Sequence, residues 1–243
     1  MLARRLLTLW MRTMLWFLCR VDGAELARIP ERGPLIVVAN HVNFLEVPVL
    51  YTRLTSRPIA AWVKADNWRN PVLGRFFDTL GGPNTIRLRR GEADIDAVHT
   101  ALIRLKEGTI LAIAPEGTRS GHGRLQHAHP GVVVLALRSG APLLPVVYYG
   151  GERFWQNLPR LRRTDFHIRV GEPFYLEAGG RRVTREIRQQ MVDEIMWQMA
   201  ALLPSDYRGA YANLGAATEN FLHFPEGSAS NLRPAAKPYE LLT

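Results

Sequence analysis

Residues 34–48 read PLIVVANHVNFLEVP, and this stretch determines how the whole chain is interpreted. Its five consecutive apolar residues, 35–39, have the length and type of a strand buried on both faces of a parallel sheet. Asn40 and His41 follow at once, and a helix is predicted from residue 45 to residue 54. Because strands of α/β sheets end at crevices that hold functional groups, His41 is the first candidate for chemistry.

Short apolar runs alternate with helix-like stretches on both sides of this segment. The predicted strands are residues 35–39, 59–63, 109–114, 143–148 and 166–170. The predicted helices are residues 45–54, 72–80, 93–106, 131–138 and 184–203. This order predicts an α/β fold with one domain, residues 21–203, and a mostly parallel central sheet flanked by helices. Periodicity fades over residues 204–243, so an extended or partly mobile tail is expected there.

Residues 1–20, MLARRLLTLWMRTMLWFLCR, are apolar but interrupted by arginines. No run approaches the roughly 20 apolar residues that crossing a bilayer requires. Apolar residues recur at helical spacing, and Arg5 and Arg12 lie on another face; the apolar residues are Leu2, Leu6, Leu9, Trp10, Met14, Phe17 and Leu18. We expect an amphipathic helix that lies on an anionic membrane surface. A helix packed on the domain core is the alternative.

The composition predicts an anionic partner. The chain of 243 residues has 31 Lys and Arg against 22 Asp and Glu, a net charge of +9. Nucleic acid, lipid headgroups, and a phosphorylated or acidic substrate carrier all fit this excess. No recognition helix or aromatic-basic sheet pattern supports nucleic acid. Cys19 is the only cysteine, so no disulfide within the chain and no cysteine-built metal site can form.

His41 and Glu46 are five residues apart, close enough for the carboxylate to reach the imidazole. A carboxylate on one ring nitrogen fixes the tautomer and leaves the other nitrogen free to accept a proton from a hydroxyl. Taken alone, the pair is more typical of a structural contact than of a catalytic site. Farther along, a predicted strand ends at Glu116-Gly117-Thr118-Arg119-Ser120. Glycine, hydroxyl and guanidinium groups suit an anion site, although a surface turn has similar residues.

Together these blocks resemble the glycerolipid acyltransferase family. AN-His41-VNFL-Glu46-VP is similar to its first signature, His, four residues, then Asp, with Glu46 in place of the Asp. The run from Pro115 to Ser120 is similar to its Glu-Gly-Thr-Arg block. The resemblance implies that His41 and Glu46 are catalytic and that Arg119 binds the acceptor phosphate. It further implies a substrate-binding loop of Glu116, Gly117 and Thr118, which Glu116 organises.

Weaker similarities surround the two main blocks. Arg90-Gly91 resembles a family block of glycine, an apolar strand and arginine, and Lys64 resembles a lysine that lines the acceptor pocket. A solvated charge run and a surface lysine are the respective alternatives. Residues 140–147 resemble a strand that would wall the acyl chain. A histidine cluster reads as a polar loop rather than a metal site; its members are His122, His127 and His129.

The resemblance implies acyl transfer from acyl-CoA or an acyl carrier protein to the sn-2 hydroxyl of 1-acylglycerol-3-phosphate, which gives phosphatidate in phospholipid biosynthesis. No cofactor and no metal are expected, because the donor is a co-substrate. A peripheral or monotopic location on the cytoplasmic face of the cell membrane follows. Two alternatives remain: O-acylation of another lysophospholipid, a glycolipid or an aminolipid, which Glu46 makes credible, and a non-catalytic lipid-binding protein of the same fold.

Overall fold

The computed structural model describes residues 2–53, 57–88 and 94–233. Its strands are Cys19–Asp22 (β1), Leu35–Ala39 (β2), Ile59–Lys64 (β3), Thr85–Leu88 (β4), Ile110–Ile113 (β5), Leu143–Tyr149 (β6), Thr164–Val170 (β7), Tyr175–Leu176 (β8) and Leu222–His223 (β9). Its helices are Leu2–Leu18 (α1), Glu46–Arg53 (α2), Pro71–Leu80 (α3), Ile95–Lys106 (α4), Gly131–Ser139 (α5), Phe154–Asn157 (α6) and Arg185–Ala201 (α7).

The main sheet has seven strands in the order β1-β7-β6-β2-β5-β3-β4. All neighbouring strands pair in parallel except β6 and β7, which are antiparallel. The predicted α/β fold with a mostly parallel sheet is therefore confirmed. Each predicted strand and helix overlaps an observed element, with ends that differ by a few residues. Strand β2 lies at the centre, where Ile36, Val37 and Val38 are completely buried.

Helices cover both faces of the sheet. On one face, α4, α5 and α7 enclose the larger apolar core, around Leu105, Val133 and Ile195. On the other face, α1 and α2 enclose a second core, which contains Leu15 and Val49. This two-sided cover explains why the central strands read as continuous apolar runs rather than as alternating patterns.

The amino-terminal helix joins the sheet without a linker. α1 ends at Leu18 and β1 begins at Cys19, so the domain boundary predicted after residue 20 falls inside a strand. β1 pairs with β7, an interaction that the sequence of Cys19–Asp22 did not predict. Met11 and Leu15 of α1 are buried in the domain. The helix is therefore a structural part of the α/β domain.

The carboxyl-terminal segment also differs from the expected extended tail. Residues 205–216 contain three short 3₁₀ turns, and β9 pairs with β8. Glu194 of α7, which is fully buried, accepts hydrogen bonds from Thr218 Oγ1 and from the backbone N–H groups of Asn220 and Phe221. These bonds fix residues 218–221 of the tail on α7. Residues 234–243 lie outside the described residues.

Candidate active site

The candidate site lies at the carboxyl edge of the parallel strands. His41 comes two residues after the end of β2, and Glu116 comes three residues after the end of β5. Lys64 is the last residue of β3. Because β2, β5 and β3 are neighbouring parallel strands, their carboxyl ends meet at the same edge. His41 and Glu116, which are 75 positions apart in sequence, are thereby brought into contact at this edge.

Asn40 anchors this edge, a role that sequence analysis did not assign. Its side-chain amide donates to the backbone carbonyl of Tyr148 at 2.8 Å, and its amide oxygen accepts from the Tyr148 N–H at 2.7 Å. The pair of bonds extends the contact between β2 and β6 by one step and satisfies buried polar groups on both sides. Asn40 therefore fixes the direction in which the chain leaves β2 toward His41.

Glu46 orients the imidazole of His41. Nδ1 of His41 lies 3.0 Å from Oε2 of Glu46, whose side chain is only 5% exposed. The other carboxylate oxygen accepts hydrogen bonds from the backbone N–H groups of Val42 at 3.2 Å and Asn43 at 2.9 Å. The carboxylate is thus held at the first residue of α2, where the helix dipole favours negative charge. The predicted dyad forms, and Glu spans the required distance.

Glu116 connects the two signature blocks. Its side chain is buried; one oxygen accepts from the backbone N–H of His41 at 3.1 Å, and the other accepts from the N–H of Gln126 at 3.0 Å. Burial raises the pKa of Glu116, and these hydrogen bonds act in the opposite direction. From this buried position, Glu116 links the His41 segment to the loop that follows β5.

The loop after Glu116 runs alongside the His41 segment. The backbone N–H of Ser120 donates to the carbonyl of His41, and the N–H of Gly121 donates to the carbonyl of Val42. Gly117 has φ +67°, and a Cβ there would lie 3.2 Å from the His129 ring, so both conformation and space favour glycine. Thr118 and Arg119 are exposed at this loop, where a substrate could reach them.

Arg119 contacts the catalytic candidate directly. Its Nε–H donates to Nε2 of His41, with 3.3 Å between the two nitrogens. Since Nδ1 faces Glu46, the imidazole has Nδ1–H as the donor and Nε2 as the acceptor in this arrangement. The His41 side chain is 26% exposed, and Arg119 lies against its Nε2. An imidazole and a guanidinium are therefore in direct contact at this edge of the sheet.

The other predicted contacts have mixed outcomes. Lys64 is half-buried at the site edge. Arg90 lies outside the described residues. Arg87, its predicted basic neighbour, lies with its guanidinium 4.3 Å from the centre of the Trp68 ring and 3.5 Å from Asp78, which is a local packing role.

Two of the three histidines in the 121–129 loop make local contacts. The ring of His127 packs on Tyr211, and His122 Nδ1 accepts from the Arg124 N–H. Among residues 2–53, 57–88 and 94–233, no group of three or more His, Cys, Asp or Glu side chains is arranged to hold a metal ion. The loop instead packs beside the carboxyl-terminal segment, where Leu125 exchanges backbone hydrogen bonds with Tyr207 and Ala210.

Two further residues of the first block have positions that the motif alone did not reveal. The side chain of Asn43 donates to the carbonyl of Gly151 at 2.7 Å, which ties residues 41–46 to the segment after β6. Phe44 packs against Phe154 and Trp155, with ring centres 5.3 and 5.6 Å apart. Only their position between His41 and Glu46 could have pointed to them.

Proton abstraction from a hydroxyl is the chemistry that this geometry suits. A neutral imidazole whose Nδ1–H is held by a buried carboxylate presents a lone pair on Nε2, and the carboxylate stabilises the imidazolium that forms. An adjacent guanidinium supplies two parallel donors for phosphate oxygens. The described residues thus place an imidazole, a carboxylate and a guanidinium in contact at one edge of the sheet.

Comparison with known proteins places the chain in a family. Residues 20–149, more than half of the chain, match the family model described as Acyltransferase, and the chain belongs to this family. The matched range contains both signature blocks, from His41 to Arg119. The family predicted from the two blocks is thereby confirmed.

Individual relatives are more distant. The chain is 27% identical over 226 residues to a lyso-ornithine lipid O-acyltransferase of Pseudomonas aeruginosa, which covers 82% of the chain and 81% of the relative. It is 25% identical over 173 residues to the chloroplastic 1-acyl-sn-glycerol-3-phosphate acyltransferase BAT2 of Brassica napus, which covers 69% of the chain and 48% of the relative. The chain therefore spans about half the length of this plant relative.

A solved structure supports the fold. The crystal structure of PlsC, the 1-acyl-sn-glycerophosphate acyltransferase of Thermotoga maritima, matches with a TM-score of 0.55 at 24% sequence identity. The match covers 79% of this chain and 75% of that chain. At this identity the similarity establishes a shared fold, and function has to be argued from the site.

Proposed function

We propose that this protein transfers a fatty acyl group from a thioester donor to a hydroxyl of a lysolipid. The observation that carries the proposal is the position of His41 between Glu46, 3.0 Å from Nδ1, and Arg119, 3.3 Å from Nε2. Family membership supports the reaction class, and the site supports the assignment of roles to residues.

The proposed reaction is a direct transfer. Nε2 of His41 takes the hydroxyl proton as the acceptor oxygen bonds to the thioester carbonyl carbon, and Glu46 stabilises the resulting imidazolium. The C–S bond then breaks, and the departing thiolate takes the proton from His41. The products are an ester and a free thiol, so no covalent acyl-enzyme, metal or cofactor is needed. Acyl-CoA and acyl carrier protein both supply such a thioester.

The preferred acceptor that we propose is 1-acylglycerol-3-phosphate, acylated at its sn-2 hydroxyl to give phosphatidate. Arg119 would bind the phosphate, with Lys64 and Arg90 assisting and the 116–118 turn shaping the loop. Binding the phosphate beside the base places the hydroxyl near the thioester, which lowers the entropic cost of the reaction. The two named relatives support different acceptors, so a lyso-ornithine lipid is the second candidate. The match to the lyso-ornithine lipid O-acyltransferase covers 82% of this chain, whereas the match to the plant relative covers 69%.

The membrane surface is the proposed place of action. α1 has two apolar faces: Met11 and Leu15 point into the domain, and a second set of apolar side chains on the opposite side is exposed. The exposed set is Leu2, Leu6, Leu9, Trp10, Trp16 and Phe17. Packing on the core explains only the first face. Arg5 and Arg12 are exposed, where they could contact anionic headgroups.

Within the described part of the chain, no helix has both the length and the apolar character that crossing a bilayer requires. The second apolar face of α1 supports peripheral or monotopic binding instead, and we assign it to the cytoplasmic face of the cell membrane, where anionic lipids and thioester donors meet.

An acceptor competition tests the substrate proposal. Purified protein in detergent receives equal amounts of lysophosphatidate and lyso-ornithine lipid, with acyl-CoA or acyl carrier protein as the donor. We expect phosphatidate to be the main product and Arg119→Ala to lower its yield more than the yield of acylated ornithine lipid. Preferential acylation of the ornithine lipid would replace the first acceptor with the second. No product from either acceptor would overturn the proposed function.

A further inference from the structure

Residues 155–163, which form most of the connection from β6 to β7, expose two large apolar side chains beside the active-site edge. Trp155 is 64% exposed and Leu161 is 95% exposed. The same segment contains three arginines, Arg160, Arg162 and Arg163. Single exposed apolar residues are common on protein surfaces. These two are distinguished by the structure that holds them in place.

Leu161 has an unfavourable backbone conformation. Its φ of +51° makes it the only residue other than glycine with positive φ among residues 2–53, 57–88 and 94–233. Hydrogen bonds from Leu161 N–H to the Leu158 carbonyl and from Arg162 N–H to the Asn157 carbonyl close the turn around it. Glycine or asparagine normally occupies such a position. A leucine here retains both backbone strain and an apolar side chain in water, a combination typical of functional segments.

Trp155 is connected to residues 41–46 through Phe44. Its ring lies 5.6 Å from the ring of Phe44, and Phe44 stands between His41 and Glu46 in the sequence. Phe154 completes the cluster at 5.3 Å from Phe44 and 5.1 Å from Trp155. An apolar surface therefore extends from the start of α2 to the exposed face of Trp155.

Arg163 joins the segment to α1. Its guanidinium donates two hydrogen bonds to the carbonyl of Cys19, directly after the end of α1, and lies 6.0 Å from the centre of the Trp16 ring. Trp16 and Phe17 belong to the exposed apolar face of α1. The 155–163 segment is thus adjacent to the surface that we assign to the membrane.

Leu161 lines an open hollow of about 740 Å³. Among the described residues, its lining includes Arg20, Arg153, Arg162 and Arg163 and one carboxylate, Asp165, which lies 3.6 Å from Arg20. A neighbouring hollow of about 700 Å³ shares Arg20 and Arg163 and reaches Trp16 of α1. This excess of guanidinium groups suits phosphate oxygens.

We propose that the 155–163 segment is a second membrane-contact surface, in which Leu161 and Trp155 enter the interface of an anionic bilayer while lipid phosphates occupy the arginine-lined hollow. The proposal rests on the membrane location given above. Two contacts, α1 and this segment, fix the orientation of the domain, so the edge that holds His41 faces the lipid. A lysolipid could then reach Nε2 along the Phe44 cluster.

A bilayer fits this surface better than an acidic carrier protein does. Adjacent arginines and protruding apolar side chains are the composition of interfacial membrane segments. Leu161 has almost its entire surface exposed, as insertion into a bilayer requires. Continuity with the apolar face of α1 through Arg163 and Trp16 also favours one planar partner.

A fluorophore at position 161 tests the contact. Cys19 is buried, and burial raises its pKa to about 11, so a Leu161→Cys variant has one reactive thiol at neutral pH. With phosphatidylglycerol vesicles, we expect a polarity-sensitive label at this site to shift to the blue and to be quenched by spin-labelled lipid. A label at Ile103→Cys on α4, across the sheet, should not change.

Three outcomes overturn the proposal. The first is an emission spectrum of the label at position 161 that remains typical of water although the protein floats with the vesicles. The second is a spectral change that acidic carrier protein produces and vesicles do not. The third is a protein that does not float. Because acyl transfer to a detergent-solubilised acceptor is measured separately, loss of membrane contact and loss of the proposed enzyme function can be distinguished.

A substitution that relieves the backbone strain at position 161 provides an independent test of the proposal. Asparagine tolerates the left-handed region, so Leu161→Asn should leave the melting temperature equal or higher while vesicle affinity falls about tenfold, the loss expected for one buried leucine. Leu161→Met retains an apolar side chain and should bind vesicles nearly as well as the native chain. Unchanged affinity in Leu161→Asn would contradict the proposal.

Discussion

The Nε–H of Arg119 donates to Nε2 of His41 across 3.3 Å, and Nε2 is the nitrogen that a general base must have free. The guanidinium of Arg119 therefore covers the nitrogen that we propose as the general base. An acceptor phosphate competes for the guanidinium with two charged oxygens, which are stronger partners than a neutral imidazole nitrogen. Binding of the acceptor would then uncover Nε2, so that phosphate recognition and base activation are one event.

This relationship predicts opposite effects of Arg119→Ala on two measurements. Carbethoxylation of His41 by diethylpyrocarbonate at about pH 8, where an ordinary imidazole is neutral, should be faster because Nε2 is uncovered. Acyl transfer to lysophosphatidate should fall about 10- to 100-fold, the range for one charged hydrogen bond. Peptide mass spectrometry measures the first rate, with exposed His223 as the internal reference. Equal His41 reactivity in both proteins would show that Arg119 does not cover the base.

The second prediction concerns the length of the Glu46 side chain. Its carboxylate reaches His41 Nδ1 and two backbone N–H groups at once. Aspartate, one methylene shorter, cannot keep all three contacts unless α2 moves. We expect Glu46→Asp to lower kcat about 10- to 100-fold through misplacement of the imidazole and to change the ratio of acylated acceptors. Glu46→Gln, which keeps the length and removes the charge, is the matched control. Unchanged kcat and acceptor ratio in Glu46→Asp would refute this role.

The raised pKa of Glu116 predicts how the free energy of unfolding depends on pH. Burial raises its pKa in the folded state, so the folded protein binds the proton more tightly than the unfolded chain does. This group therefore contributes stability at low pH that is lost as pH rises from the ordinary carboxyl range through the raised pKa. We expect the stability advantage of the native protein over Glu116→Gln to shrink across that range.

Urea unfolding of both proteins at a series of pH values measures this difference. Comparing the two chains at each pH cancels the contributions of the other titrating groups. An advantage that grows with pH would mean that the hydrogen bonds from His41 and Gln126 outweigh the burial of Glu116.

Substitutions on the two faces of α1 should have different effects, one on vesicle binding and the other on stability. Leu6→Ser and Trp10→Ser lie on the exposed face, so they should weaken flotation with phosphatidylglycerol vesicles without lowering the unfolding free energy. Leu15→Ser, in the buried face, should cost about 2–5 kcal/mol of unfolding free energy, as large-to-small core substitutions do. If the exposed-face variants bind vesicles normally, α1 is only a structural helix.

The sequence predicted the central strands and the two signature blocks because both are local features. The apolar run of β2 and the residues that follow it need no distant partner to be recognised. β1 escaped prediction because its four residues, CRVD, form a strand only through pairing with β7. The packing of the tail was not predicted because its hydrogen bonds go to Glu194, a carboxylate that occurs within the apolar pattern of α7.

The contacts around His41 were predicted in part. Spacing indicated that Glu46 could reach the imidazole, and the family resemblance indicated that Glu116 organises the loop. The contact of Arg119 with Nε2 joins residues 78 positions apart and depends on how two loops pack at the sheet edge. No local pattern encodes such a contact, and the same holds for the link between Arg163 and α1.

The most direct test of the central claim is the rate of thiol release from an acyl thioester in the presence of lysophosphatidate, measured for the native protein and for His41→Ala. A positioned general base contributes about 10²- to 10⁴-fold, so we expect the rate to fall by that factor while the melting temperature remains close to the native value. His41→Ala that releases thiol and forms phosphatidate at the native rate would contradict the assignment of His41 as the base.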